Sequence, residues 1–385
     1  MIDLKTLFTS KGSDGQGIVS WVHFGDLNMT TPYEENYHDF LALIEEVNSV
    51  MANSLSFVFF PGDNADHGRA QEYEAVRIGL DQLSLPYFSI VGDHDVRTGS
   101  FDNYLHYMMP VTDFSFVLDS YIFVALNAFA TADSKRFDVS KDQLQWTDHL
   151  LARAAAEGLR AVIFLHCYPS DLRKSARALE KLIKKYGVLL VDMGHTHYNE
   201  IANDGKTLYT ATRSTSQIEE GPVGFSVTNL DRGAVSWRFF ELGLLPAMMI
   251  TSPSDERLMT DADLVSLSKP KNVRIRAKIW HHAAIRYVGA QLPGQQVELQ
   301  NVPGTRLWEG EIPTTSLAAG VYPLYVYAVD DGRRAAEDTI RLRIGSAVHA
   351  LPKRAKRDRD NAIGAWPEHG LLGTQLGPNK NGRKW

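Results

Sequence analysis

Five short apolar runs in the first half of the chain each stop at a carboxylate or an imidazole, and nothing else in the sequence constrains the fold so strongly. IVSWVHF (18–24) stops at Gly25-Asp26, SFVFF (56–60) at Pro61-Gly62-Asp63, and PYFSIV (86–91) at Gly92-Asp93-His94-Asp95. RAVIFL (160–165) stops at His166, and VLLVDM (188–193) at Gly194-His195-Thr196-His197. Runs this short and this rich in β-branched and aromatic residues read as strands. The stretches between them predict helices near 34–51, 70–82, 141–157 and 172–185, with an added strand pair at 113–118 and 121–126. Strands alternating with helices predict a layered α/β domain. In an open α/β sheet the carboxyl ends of the strands converge on one crevice, so Asp26, Asp63, Asp93, His94, His166, His195 and His197 are expected to meet. A glycine precedes four of these five groups (Gly25, Gly62, Gly92 and Gly194), where it would let the backbone turn sharply.

Three carboxylates brought together repel one another, and bound divalent cations relieve that repulsion. Mixed oxygen and imidazole donors suit Mn, Fe, Zn, Co or Ni better than Ca, which takes oxygen ligands alone. Six or seven ligands exceed what one tetrahedral ion uses, and they suffice for two ions sharing a carboxylate. That arrangement clamps the attacking and leaving oxygens of a phosphoryl displacement.

Gly25-Asp26-Leu27-Asn28, Gly62-Asp63-Asn64-Ala65-Asp66, Gly92-Asp93-His94-Asp95, His166 and Gly194-His195-Thr196-His197 resemble the five ordered blocks of the calcineurin-like metallophosphoesterases. There they read D-x-H, G-D-x-x-D, G-N-H-D, a lone His after a strand, and G-H-x-H. The resemblance covers about residues 18–240 and is nearest to the branch holding cyclic-nucleotide phosphodiesterases. It implies a four-layer αββα sandwich with two central mixed sheets. It also implies that Asp26 and His197 hold one metal, that Asp63 bridges, and that Asp93, His166 and His195 hold the second. His94 would sit beside the substrate, donating a proton or hydrogen bond to the leaving oxygen. Two positions depart from the pattern: Asn28 replaces the histidine of D-x-H, and Asp93 replaces the asparagine of G-N-H. An amide carbonyl is a weaker ligand than imidazole, so these swaps are expected to shift ligand strength from the first metal to the second.

At 385 residues the chain exceeds one ordinary core. Residues 1–245 are expected to form the phosphoesterase domain and 246–270, with Leu-Pro and Ser-Pro-Ser, a linker. From 271 to 345 the pattern is strands only, predicting a small antiparallel β-sandwich of Ig-like form. Residues 346–385 carry eight Lys or Arg against three Asp or Glu, yet include Ile363, Trp366, Leu371 and Leu372. This basic tail is expected to pack on the body. A net charge of −6 gives no support to a nucleic-acid polymer as partner, and no apolar stretch is long enough for a membrane span. A single cysteine, Cys167, rules out an intrachain disulfide and fits a reducing, cytoplasmic setting. A homodimer is compatible with these features.

The expected activity is metal-assisted hydrolysis of a small phosphate ester, a phosphodiester first. The alternatives are a phosphomonoesterase and a catalytically weak metal- or phosphate-binding protein in which Asn28 and Asp93 mark decay of the site. Arg97, two residues beyond Asp95, is a candidate grip on a phosphate oxygen, although a surface ion pair explains it equally well. Asp66 and Asp95 read as groups that orient their neighbours, and Tyr198 and Asn199 as pocket lining. His23 is expected to be a packed strand residue.

Overall fold

The computed structural model describes residues 2–3, 16–134, 136–217, 219–261, 263, 270–345 and 361–374. In chain order the first domain comprises β1 (Ile2–Asp3), β2 (Ile18–Phe24), α1 (Glu35–Glu46), β3 (Phe57–Phe60), α2 (Ala70–Leu80), β4 (Tyr87–Ser89), α3 (Asp102–Tyr107), β5 (Phe114–Leu118), β6 (Tyr121–Leu126), α4 (Lys141–Glu157), β7 (Arg160–Leu165), α5 (Ala176–Tyr186), β8 (Leu190–Met193), β9 (Glu200–Asn203), β10 (Leu208–Ala211), β11 (Gly224–Asp231) and β12 (Ala234–Glu241). One mixed sheet runs β1-β5-β6-β7-β8-β10-β9 and the other β12-β11-β2-β3-β4.

The strand runs show no strict in–out alternation of apolar residues because both faces of each strand are covered. In β6, Phe123 and Ala125 face the inter-sheet core, whereas Ile122, Val124 and Leu126 face α4 and α5. In β7, Val162 and Phe164 divide from Ala161, Ile163 and Leu165 in the same way. Between the sheets, Phe59 stacks on Phe164 at 4.0 Å and Trp21 meets Phe164 edge-on at 6.0 Å. A polar bolt crosses this core, since buried Asp192 of β8 accepts from Trp21 Nε1 (2.9 Å) and lies 3.0 Å from His23 Nδ1 of β2. His23 is therefore a packed strand residue. With α1 to α3 outside one sheet and α4 and α5 outside the other, the four-layer αββα sandwich is present.

The stretch expected as a linker contains a strand. β13 (Ala247–Ser252) pairs antiparallel with β14 (Asn272–Trp280), from Ala247↔Trp280 to Ser252↔Arg276. Prolines at 246 and 253 bracket the run AMMITS, and their loop character disguised it. β15 (Tyr287–Leu292), β16 (Gln295–Asn301), β17 (Leu307–Pro313), β18 (Gly320–Val329) and β19 (Arg334–Ile344) complete an antiparallel sheet of order β13-β14-β17-β16-β15-β18-β19. Its strands form one nearly closed, barrel-like sheet instead of two separate layers. β16 pairs with β15 over Gln295–Leu299 and with β17 over Gln300–Asn301.

This second sheet shares its core with the first domain. Lys278 Nζ donates to Ser20 Oγ (2.8 Å) and to the Ser54 carbonyl (2.6 Å), Trp280 Nε1 donates to Ser54 Oγ (2.7 Å), and Arg276 pairs with Asp231. Residues 361–374 lie across the joint. Ala362 bridges to Ala202, and the Trp366 ring stacks on His369 and on the Arg257 guanidinium, each at 3.6 Å. His369 is wedged between the Trp237 carbonyl of the first domain (3.0 Å) and Asp338 of the second (2.7 Å). The basic run 353–359 lies outside the described residues. Among the described residues no helix is long and apolar enough to cross a membrane.

Candidate metal centre

Each candidate ligand stands just past a strand end. After β2, the Asp26 carbonyl is held by the Thr215 N–H (3.0 Å) and the Ser214 hydroxyl (2.8 Å), while its Oδ2 accepts the His195 N–H (2.8 Å). After β3, Asp63 Oδ1 accepts the His94 N–H at 2.8 Å. After β7, His166 Nδ1 lies 2.7 Å from the Pro61 carbonyl. A carbonyl only accepts, so Nδ1 carries a hydrogen there and Nε2 is the nitrogen that faces the carboxylates. That Nε2 lies 3.2 Å from Asp93 Oδ1 and 3.5 Å from Asp63 Oδ2. His195 Nδ1 is 3.1 Å from Asp93 Oδ1, and His197 Nε2 is 3.3 Å from Asp26 Oδ2.

These atoms form two groups, Asp63-Asp93-His166-His195 and Asp26-Asp63-His197, with the ligand atoms of each within 4.8 Å of one another. Asp63 belongs to both. The division matches the one implied by the motif blocks, with Asp63 in the shared position.

The glycines serve mainly by lacking a side chain. Of the four, only Gly62 (φ 107°) has a positive φ. A Cβ at Gly92 would lie 2.1 Å from Asp63 Oδ1, one at Gly194 2.3 Å from Asp26 Oδ1, and one at Gly25 1.9 Å from the Arg213 carbonyl. Positive φ falls instead on candidate ligands, Asn28 (40°), Asp63 (52°), His195 (65°) and His197 (62°), and outside the site on Asp119 and Arg232. Each such residue costs about 1–2 kcal/mol, and strain of this kind gathers where side-chain aim matters more than backbone ease.

In the cradle, carboxylates and imidazoles shift one another's protonation. Burial alone would raise Asp93, yet hydrogen bonds and charge from His166 and His195 hold it well below the usual carboxylate range. Asp26 is likewise lowered against the effect of burial, by His197 and His166. Burial would depress His166, but Asp63 and Asp93 push it well above the usual imidazole range. The carboxylates thus draw positive charge from whatever stands beside them, here the imidazoles. Two buried oxygens, Asp26 Oδ1 and Asn28 Oδ1, have no hydrogen-bond partner among the described residues. Orphan acceptors beside paired carboxylates and inward-facing imidazole nitrogens are the donor set a metal ion would satisfy. The residues fit the group.

Around the cradle, Asp95 ties the loops together. It accepts from the backbone N–H groups of Asn64 (3.1 Å), Ala65 (3.1 Å) and Gly92 (2.9 Å) and from the Tyr73 hydroxyl (2.7 Å). Burial and then the Asp63 charge push it up to about 6 despite these donors. His94 stands at the rim, with Nδ1 2.7 Å from Asp66 Oδ1 and 2.9 Å from Asn28 Nδ2. Arg97 does not reach the candidate ligands. Its guanidinium contacts His94 Nε2 (2.7 Å) and the Asp66 carbonyl (2.8 Å), so it attaches to the His94-Asp66 pair.

Tyr198 bonds Glu219 at 3.3 Å, away from the candidate ligands. Asn199 is a buttress, not pocket lining: its amide accepts the Arg213 N–H (2.9 Å) and donates to the Gly370 carbonyl (2.9 Å). Motif reading did not find Phe137, whose ring stands edge-on to His195 at 4.7 Å. Phe137 lies in a loop with no periodic pattern, and only its aromatic character marked it.

The layered α/β domain carries a two-part carboxylate–imidazole cradle at its strand ends, with a donor set that suits metal ions. Residues 20–199 match the model of the calcineurin-like phosphoesterase family, and the fold of this first domain is the calcineurin-like α/β sandwich. A probable cyclic nucleotide phosphodiesterase of Xenorhabdus bovienii is 21% identical over 172 residues, 42% of this chain and 69% of that protein. Among solved structures, a dimetal phosphatase from Danio rerio is 15% identical (TM-score 0.48; 57% of this chain, 95% of that one). The anchor protein of the Plasmodium inner membrane complex is 16% identical (TM-score 0.45; 59% and 85%).

Proposed function

We propose that the chain hydrolyses small phosphodiesters with two divalent ions held by Asp26, Asn28, Asp63, Asp93, His166, His195 and His197. The observation that carries this reading is the pair of ligand groups sharing Asp63. Two ions bound there would supply Lewis-acid charge for the phosphoryl oxygens and a water acidified to near neutrality. His94 supplies the proton to the leaving oxygen. The Asp66 carboxylate at Nδ1 compensates the positive charge of the ring when Nε2 is protonated. Arg97 is partly exposed and already at Nε2, so its guanidinium can transfer to a phosphate oxygen as substrate enters.

The name borne by the Xenorhabdus relative supports a diester substrate. The test is a substrate panel with Mn²⁺-loaded protein: bis-p-nitrophenyl phosphate, cyclic nucleotides, glycerophosphodiesters, and p-nitrophenyl phosphate as monoester. Diester turnover above monoester turnover is expected. Faster monoester turnover, or no diester turnover with two ions bound, overturns the reading.

A further inference from the structure

The loop between β6 and α4 carries none of the ligand motifs, yet it walls the metal centre. Its two phenylalanines, Phe129 and Phe137, pack on each other at 5.3 Å, and Phe137 presses against His195. The loop is pinned by a bridge between Phe129 and Asp138 and by the Asp138 N–H bond to the Ala128 carbonyl (2.8 Å). Between this loop and the Asp93–Gly99 segment lies a cleft of about 530 Å³ that opens beside Asp93. That volume suits a small-molecule arm, not a polymer.

Two guanidinium groups line this cleft, Arg97 from one wall and Arg136 from the other. The carboxylates there are Asp93 and Asp133, and Asp93 belongs to the ligand cradle, where bound cations would neutralise it. With ions bound in the cradle, the two guanidinium groups would have Asp133 as the carboxylate left to face in the cleft. Arg97 is already engaged with His94 and Asp66. Among the described residues, the hydrogen bonds of Arg136 are made by its backbone, to and from the Ser134 hydroxyl. Its guanidinium fork is thus left to face a ligand, and the paired phenylalanines offer an apolar floor beneath the spacer leading to it.

We infer that this cleft is a subsite for one alcohol arm of the substrate, and that Arg136 selects diesters whose arm carries a second phosphate-type group. The inference rests on the phosphodiesterase reading and names the substrate class of the same site. Arginine suits the role because its planar fork meets a phosphate through two parallel hydrogen bonds, which a lysine cannot reproduce. In this arrangement the scissile phosphate would sit at the metal cradle and the second group would face Arg136 across the cleft.

The test uses two diesters with the same p-nitrophenolate leaving group and Mn²⁺-loaded full-length protein. One is ethyl p-nitrophenyl phosphate, and the other is 2-phosphonoethyl p-nitrophenyl phosphate, whose phosphonate cannot be cleaved as a monoester. The wild-type protein is expected to prefer the phosphonate arm on the order of tenfold or more in kcat/KM, with most of the difference in KM. In Arg136→Gln that ratio should fall to near one, and Arg136→Lys should restore part of it. Equal wild-type rates on the two diesters, or an undiminished ratio in Arg136→Gln, overturns the subsite while leaving the phosphodiesterase reading intact. Turnover of neither diester by protein with bound Mn²⁺ overturns that reading and the subsite with it.

Discussion

Replacing Gly92 with alanine adds one methyl group where the structure has no room for it. The new Cβ would lie 2.1 Å from Asp63 Oδ1 and 2.3 Å from the Asp63 backbone nitrogen, whereas real Cβ contacts essentially never fall below 3.0 Å. The Asp63 carboxylate must therefore retreat by about 0.9 Å or more, and the backbone nitrogen beside it cannot yield like a flexible side-chain end. Asp63 belongs to both ligand groups, so the displacement reaches both sites at once. A misplacement of roughly 1 Å costs on the order of 10²-fold in rate. Gly92→Ala should accordingly lose at least that factor in bis-p-nitrophenyl phosphate turnover and should hold fewer ions per chain. Metal content is measured by mass spectrometry after gel filtration, with circular dichroism establishing that the variant is folded. A folded variant with wild-type metal content and turnover would refute the steric reasoning.

Four further outcomes are expected. His94→Ala should slow hydrolysis of an alkyl phosphodiester by on the order of 10²–10⁴ but p-nitrophenyl ester hydrolysis much less, because p-nitrophenolate leaves without a proton; equal losses on both would remove His94 as proton donor. Removing one partner of a buried pair costs about 3–5 kcal/mol, and since Arg238 also lies 3.2 Å from Asp338, His369→Ala should fall near 3 kcal/mol in urea unfolding. Burial would raise Asp338, but His369 and Arg238 hold it below the usual carboxylate range. The folded state therefore binds fewer protons there, and the stability this adds is present above the ordinary carboxylate pKa and is lost as pH falls through the depressed one. Asp338→Asn should flatten that acid limb, and an unchanged limb would show that other carboxylates set it. Asn28→His, at a positive-φ position that histidine tolerates better than most residues, should tighten binding of the first ion in a Mn²⁺ titration. Unchanged affinity would count against a ligand role for position 28.

Much of the site was legible because chain topology does the assembling. Asp26, Asp63, Asp93, His166 and the His195-His197 pair are far apart in sequence, yet each follows a strand, and strand ends meet. The role of the glycines was only half legible. Sequence pointed to turning, but Gly25, Gly92 and Gly194 are needed because another backbone or carboxylate occupies the place of a Cβ, and such crowding between distant segments leaves no mark on local pattern. The strand Ala247–Ser252 was hidden by its flanking prolines, and it shows that the second sheet begins before the apparent linker ends. Spacing marked Arg97 as a candidate phosphate grip or ion-pair partner, but its contacts with His94 and Asp66 depend on how the two loops meet and left no mark on local pattern. The buttress of Asn199, Arg213 and Gly370 could not be read at all, because it depends on a C-terminal segment folding back on the first domain.

Anomalous diffraction from crystals soaked in MnCl₂ bears most directly on the two-ion cradle. Two peaks are expected, one among Asp63, Asp93, His166 and His195 and the other among Asp26, Asp63 and His197, with Asp63 between them. Clear density for these side chains with no anomalous signal between them, or with peaks only elsewhere on the protein, would contradict it.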